Sequence, residues 1–131
     1  GQHLRIFQWD ASVWTQVGSD INGEAKGDRF GESVALSRDG SILIIGGRFN
    51  DGGETNSGHA RVFVWGGGGE GGEDEDWIQR GVDIDNAGRN DQSGWAVAIS
   101  NDGGIVAVGL PLNANDGGSN AGRVQVYKYQ F

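Results

Sequence analysis

Residues 14–50 recur, without a gap, at residues 77–113. Identical pairs carry the register: Trp14/Trp77, Gln16/Gln79, Gly18/Gly81, Asp20/Asp83, Asp28/Asp91, Gly31/Gly94, Ser37/Ser100, Asp39/Asp102, Gly40/Gly103, Gly46/Gly109 and Asn50/Asn113. After one inserted residue, "GHARVFVW" at 58–65 returns as "GRVQVYKY" at 122–129, and "HLRIFQW" at 3–9 is a third copy of that segment. A repeat of this size covers its hydrophobic face only by stacking on its neighbours, and this limits the fold more than any composition figure does. The chain reads as one β-repeat domain, 1–131, with units at approximately 14–65 and 77–129. Between them, residues 66–76 ("GGGGEGGEDED") form an acidic, Gly-rich insertion with no apolar surface to bury, expected as a flexible loop.

Each unit holds four short strands. "ESVALS" and "WAVAIS" carry small residues at alternate places, Ser33 and Ala35, then Ala96 and Ala98. "ILII" and "IVAV" are continuously apolar, which predicts strands buried on both faces. The Asp-Gly pairs Asp39–Gly40 and Asp102–Gly103 lie between these strands and predict a type I′ hairpin. "ARVFVW" and "VQVYKY" supply a third strand, and the Trp-led "WTQVGSD" and "WIQRGVD" a more polar outer edge. Helical periodicity is sustained nowhere. The expectation is all-β, with antiparallel four-stranded blades of a β-propeller: two outer strands of one blade, a full blade, and three strands of another. That makes about two to two and a half blades, where propellers typically hold ~4–8. Further blades of the same or another chain would complete the ring; a two-sheet β-sandwich is the alternative.

A net charge of −8 repels a phosphate backbone and excludes nucleic acid as the expected partner. Without cysteine there is neither a disulfide nor a thiolate zinc site. No run approaches the ~20 apolar residues of a membrane span. The first residues carry neither an initiator Met nor a signal peptide, as expected of a chain processed or excised from a longer protein.

The pattern "GDRFG", strand, "DG", strand, "GG" at residues 27–47, closed by "GHARVFVW", resembles the FG-GAP repeat of integrin-α-like β-propellers. The second copy is looser, with "DQSG" at 91–94 and "GLP" at 109–111. The resemblance implies an extracellular or cell-surface propeller used in adhesion or in binding proteins or glycans. Many repeats of that family bind calcium in a loop between the two inner strands. Here that loop offers one carboxylate, Asp39 or Asp102, against the ~6–8 oxygens that calcium takes, so the calcium site is not carried over.

Other candidates come from the residues themselves. Asp51, Glu54 and Asn56 in one loop, and Asn115, Asp116 and Asn120 in another, are candidate calcium ligands, although the same residue types build ordinary turns. Asp28 and Asp91, just before Gly31 and Gly94, are expected to order a loop by accepting backbone N–H groups. Asp20 and Asp83 are read in the same way. Trp9, Trp14, Trp65 and Trp77 are expected between blades. Trp95 has Glu32 as its counterpart, so this pair is the ligand or interface candidate. His3 and His59 begin equivalent strands with no third ligand in sequence register, which disfavours zinc. The functional expectation is a noncatalytic interaction or structural module of a secreted or cell-surface protein, binding a protein partner or joining a larger propeller. A lectin-like propeller and a segment of a propeller enzyme are the alternatives.

Overall fold

The computed structural model describes residues 3–25, 27–49, 57–66, 75–85, 90–113, 117–118 and 120–129, and every regular element in them is a β-strand. In chain order these are β1 (His3–Leu4), β2 (Phe7–Trp9), β3 (Trp14–Gln16), β4 (Ile21–Asn22), β5 (Ser33–Leu36), β6 (Ile42–Gly47), β7 (His59–Gly66), β8 (Asp76–Gln79), β9 (Ala96–Ile99), β10 (Ile105–Leu110) and β11 (Arg123–Lys128). The first blade is a long hairpin in two pieces. β2 pairs with β3 and β1 with β4, and a bond from the Val17 amide to the Ile6 carbonyl (2.7 Å) joins them. The middle blade is the four-stranded sheet β5-β6-β7-β8, and the third is β9-β10-β11. All named strand pairs are antiparallel. Each sheet is built of strands close in sequence and the sheets follow one another along the chain. That is the blade order expected, not the sandwich.

Strand β6 explains why the blades stack. Alternate side chains of a strand leave opposite faces, and all six residues of β6 are buried. Ile42 and Ile44 meet Ala60, Val62, Val106 and Val108 on the side of the third blade. Leu43 and Ile45 meet Ile21, Phe30 and Phe63 on the side of the first. Full burial of one such side chain is worth ~1.5–3 kcal/mol. Glycine lets the backbones close in. A Cβ on Gly46 would run into the carbonyl oxygen of Gly94, in the segment leading to β9.

Two local expectations are corrected. Strand β10 is not buried on both faces: Val106, Val108 and Leu110 are buried, while Ile105 is exposed and Ala107 and Gly109 are half-buried. Its second face has no described blade against it. The inner hairpins are not type I′ turns, which need positive φ at both central residues. Gly40 and Gly103 have φ of 76° and 75°, but Asp39 and Asp102 are not in that region. Five residues, 37–41, separate β5 from β6, and the amide of Gly40 donates to the Ser37 carbonyl (3.0 Å). The cause is the Asp39 carboxylate. Its Oδ1 accepts from the Ser41 amide (2.9 Å), the Ser41 hydroxyl (2.7 Å) and the Ser37 hydroxyl (3.1 Å), holding a wider loop closed.

Candidate functional site

The same loop is built twice. Asp102 Oδ1 accepts from the Gly104 amide and the Ser100 hydroxyl, each at 2.8 Å. Ser37 and Ser100 in turn accept from the amides of Ile42 and Ile105. Hydrogen bonds to the Ser41 side chain and backbone hold the Asp39 carboxyl below its usual range. The bond from the Gly104 backbone does the same for Asp102. Both carboxylates are thus committed to their own loops, beside Gly40 and Gly103.

A second repeated device ties the third strand to the outer strand in the first and middle blades. Arg5 Nε and Nη2 donate to the two oxygens of Asp20 (3.0 and 3.2 Å), and Gln16 adds a bond of 2.7 Å. Arg61 grips Asp83 in the same way (2.9 and 3.0 Å), with Gln79 at 2.6 Å. Asp20 and Asp83 therefore accept side-chain rather than backbone donors. At the middle blade the clamp is extended. Arg61 Nη2 also reaches Glu24 Oε2 (2.9 Å), which comes from the segment after β4 in the first blade. His59 lies beside them, its side chain fully buried, with Nδ1 3.7 Å from both Glu24 Oε2 and Asp83 Oδ2. Burial and the charge of Arg61 push the His59 imidazole below its ordinary pKa against the pull of the carboxylates. Partial burial works to raise the Asp83 carboxyl, but Arg61 and Gln79 outweigh it and keep it low. Glu24 thus reaches this cluster from another blade, a contact between residues distant in sequence, while His3 has no place in it.

Asp28 and Asp91 are buried, and Asp91 Oδ2 accepts from the side-chain amide of Asn113 (2.7 Å). Gly31 and Gly94 both adopt positive φ, at 94° and 90°. Their amides donate to the carbonyls of Gly46 and Gly109. Trp95 and Glu32, equivalent positions of two blades, are brought together by one cation. Arg48 lies 4.0 Å from the centre of the Trp95 ring and donates to Glu32 Oε2 at 2.9 Å. Trp95 also borders a groove of about 700 Å³ with Leu110, Pro111, Gly122 and Val124. Of the calcium candidates, Asp51, Glu54, Asn56, Asn115 and Asp116 lie outside the described residues, and Asn120 is a turn residue with φ of 57°. The ends of the expected flexible insertion belong to strands: Gly66 to β7 and Asp76 to β8. Asp76 is fixed there because its carboxylate accepts from the Ser19 amide (2.9 Å) and hydroxyl (2.8 Å). Residues 67–74 lie outside the described residues.

The tryptophans divide in two. Trp65 and Trp77 pack together (5.2 Å between centroids) over the first blade, and Trp77 Nε1 donates to the Val17 carbonyl (3.0 Å). Trp9 and Trp14 make the equivalent pair (5.3 Å) on the first blade but are exposed, beside exposed Phe7. At the other end, Val124 and Val126 are exposed on β11. Both end faces of the stack are apolar sheet without a described neighbour.

Consecutive antiparallel blades, stacked through buried inner strands and edged with aromatics, define a β-propeller repeat protein. The family model described as the FG-GAP repeat matches residues 21–63 and 82–127, more than half of the chain, and the chain belongs to the FG-GAP repeat family. Repeats of this family form propellers and are typical of extracellular or cell-surface proteins. No curated protein matches the chain significantly. Among the described residues no helix is long and apolar enough to cross a membrane.

Proposed function

We propose that this chain is a noncatalytic assembly module of a secreted or cell-surface protein, whose open blade faces bind further FG-GAP blades. The observation that supports this is the chemistry of the end faces. Phe7, Trp9 and Trp14 stand on the first blade where Phe63, Trp65 and Trp77 stand on the middle one. The second set covers the neighbouring blade; the first is exposed. On the far face, Ile105 replaces Ile42 in the pattern and Ala107 replaces Ile44, beside exposed Val124 and Val126. Adjoining apolar sheet of this kind marks an interaction surface. The repeated aspartates and arginines support a noncatalytic role, since their bonds go to turns and strand edges.

Sedimentation equilibrium of the full chain tests the reading. Association beyond a monomer that is lost on Val126→Lys or Trp14→Lys is expected; a well-folded monomer at high concentration would sink it. A lectin reading has one observation behind it, the exposed edge of Trp95 at its groove. Saturable binding on a glycan array that disappears with Trp95→Ala would favour it.

A further inference from the structure

We propose that Glu24, His59 and Asp83 form a binding site for a divalent metal ion of the zinc class, bridging the first and middle blades. The three side chains offer one nitrogen and two carboxylate oxygens, all within 4.8 Å of one another. Imidazole with carboxylate is a donor set for zinc and its transition-metal neighbours, whereas calcium takes a shell of oxygens.

His59 is the independent sign of a ligand. Its side chain is fully buried, and neither ring nitrogen has a hydrogen-bond partner. Orphaned buried polar atoms of this kind call for an explanation such as an ion. The ring edge bearing Nε2 lies against Gly47, where an added Cβ would come within 3.0 Å of it. Nδ1 faces the two carboxylates instead, at 3.7 Å from each. A tetrahedral ion with bonds of ~2.0–2.1 Å holds its ligand atoms about 3.3–3.4 Å apart. An inward movement of about 0.3–0.4 Å brings His59 Nδ1 to that spacing from each carboxylate, and the two carboxylate oxygens, within 4.8 Å of each other, draw together on the same ion.

Arg61 is compatible with the ion. Its Nη2 donates to the same oxygens, Glu24 Oε2 and Asp83 Oδ2, but a carboxylate oxygen has a second lone pair for a metal. Two carboxylates against one guanidinium leave the site net negative before the ion binds. Arg61 then orients both ligands from behind, as outer-shell donors do. The Glu24 side chain is 45% exposed, which gives the ion a way in and leaves room for water in the fourth position. Neither equivalent site offers the same set. In the first blade His3 is exposed, and in the third Arg123 and Gln125 replace His59 and Arg61.

The test adds Zn²⁺ to the full chain after chelation and follows the imidazole ¹⁵N resonances, with calorimetry for affinity. Saturation at one ion per chain with a shift of the His59 resonance is expected, together with a melting temperature that climbs with Zn²⁺. Glu24→Gln, at a half-exposed position where folding is preserved, weakens binding by about tenfold or more. The proposal is overturned by an absence of Zn²⁺ binding. It is equally overturned by saturation that leaves the His59 resonance unmoved, as ions held by the acidic tract at 66–76 would do, or by unchanged affinity in Glu24→Gln. None of these readouts depends on assembly, so failure here and failure of the assembly reading are separable.

Discussion

The middle and third blades carry the same strands in different surroundings. Ile42 and Ile105 are the same residue at the same place in β6 and β10; the first is 7% exposed and the second 43%. On the opposite side the contrast reverses. Val34 and Leu36 in β5 are each 51% exposed, while their counterparts Val97 and Ile99 are half-buried against the middle blade. Val34 and Leu36 face the end of the first blade that has no inner strands among the described residues. A residue's burial here is thus a property of the next blade, and the repeat gives each position an internal control.

The sharpest way to break the comparison is to empty both isoleucine positions. Ile42→Ala is expected to cost about 2–5 kcal/mol, and Ile105→Ala about 1 kcal/mol or less, by urea denaturation. Equal costs would mean that the face bearing Ile105 is covered in solution. Next comes the glycine pair. Gly46→Ala pushes a methyl into the Gly94 carbonyl and should cost about 1–3 kcal/mol. Gly109→Ala meets its nearest atom, the Ala96 carbonyl oxygen, at 3.5 Å and should stay within about 0.5 kcal/mol. The loop carboxylates should behave alike. Asp39→Asn and Asp102→Asn both lower the melting temperature at neutral pH. Each carboxyl has a folded pKa below its ordinary 3.8. The unfolded chain therefore takes up protons first on acidification, and stability falls as pH drops from about 4 through the folded value. Either substitution flattens that acid limb in a pH series of thermal melts. The smallest effect is Val126→Lys, within about 0.5 kcal/mol for the isolated chain, with its consequence appearing only in the sedimentation experiment.

What could be read from the sequence follows the same division. The strands, their order and the blade count were legible because each rests on residues that recur in register. The wider inner loop was misread because Asp-Gly signals a tight turn, yet the flanking Ser37 and Ser41 give the carboxylate nearer donors. The Arg5–Asp20 and Arg61–Asp83 clamps leave a signal, since both partners recur at equivalent positions, but a recurring aspartate fits a backbone-bonded turn equally well. The meeting of Glu24 with His59 left none: it depends on how one blade's exit segment passes the next blade's third strand. The exposure of β10 was equally invisible, because its apolar letters match those of β6.

The contact between Gly46 and Gly94 has a geometric consequence. Blade two and blade three touch backbone to backbone at their inner strands, with Ser33 Oγ bonding the Gly94 carbonyl at 2.6 Å. Toward the outer strands the gap is filled by larger groups, such as Arg80 over the Tyr129 ring at 4.1 Å. The middle and third blades are therefore set as a wedge, close together at the inner strands and wider apart toward the outer ones. The angle of that wedge sets how many units complete a full turn. Bulk added at the thin edge makes the wedge more nearly parallel and enlarges the ring, so a single hydrogen in place of a methyl helps to fix its circumference.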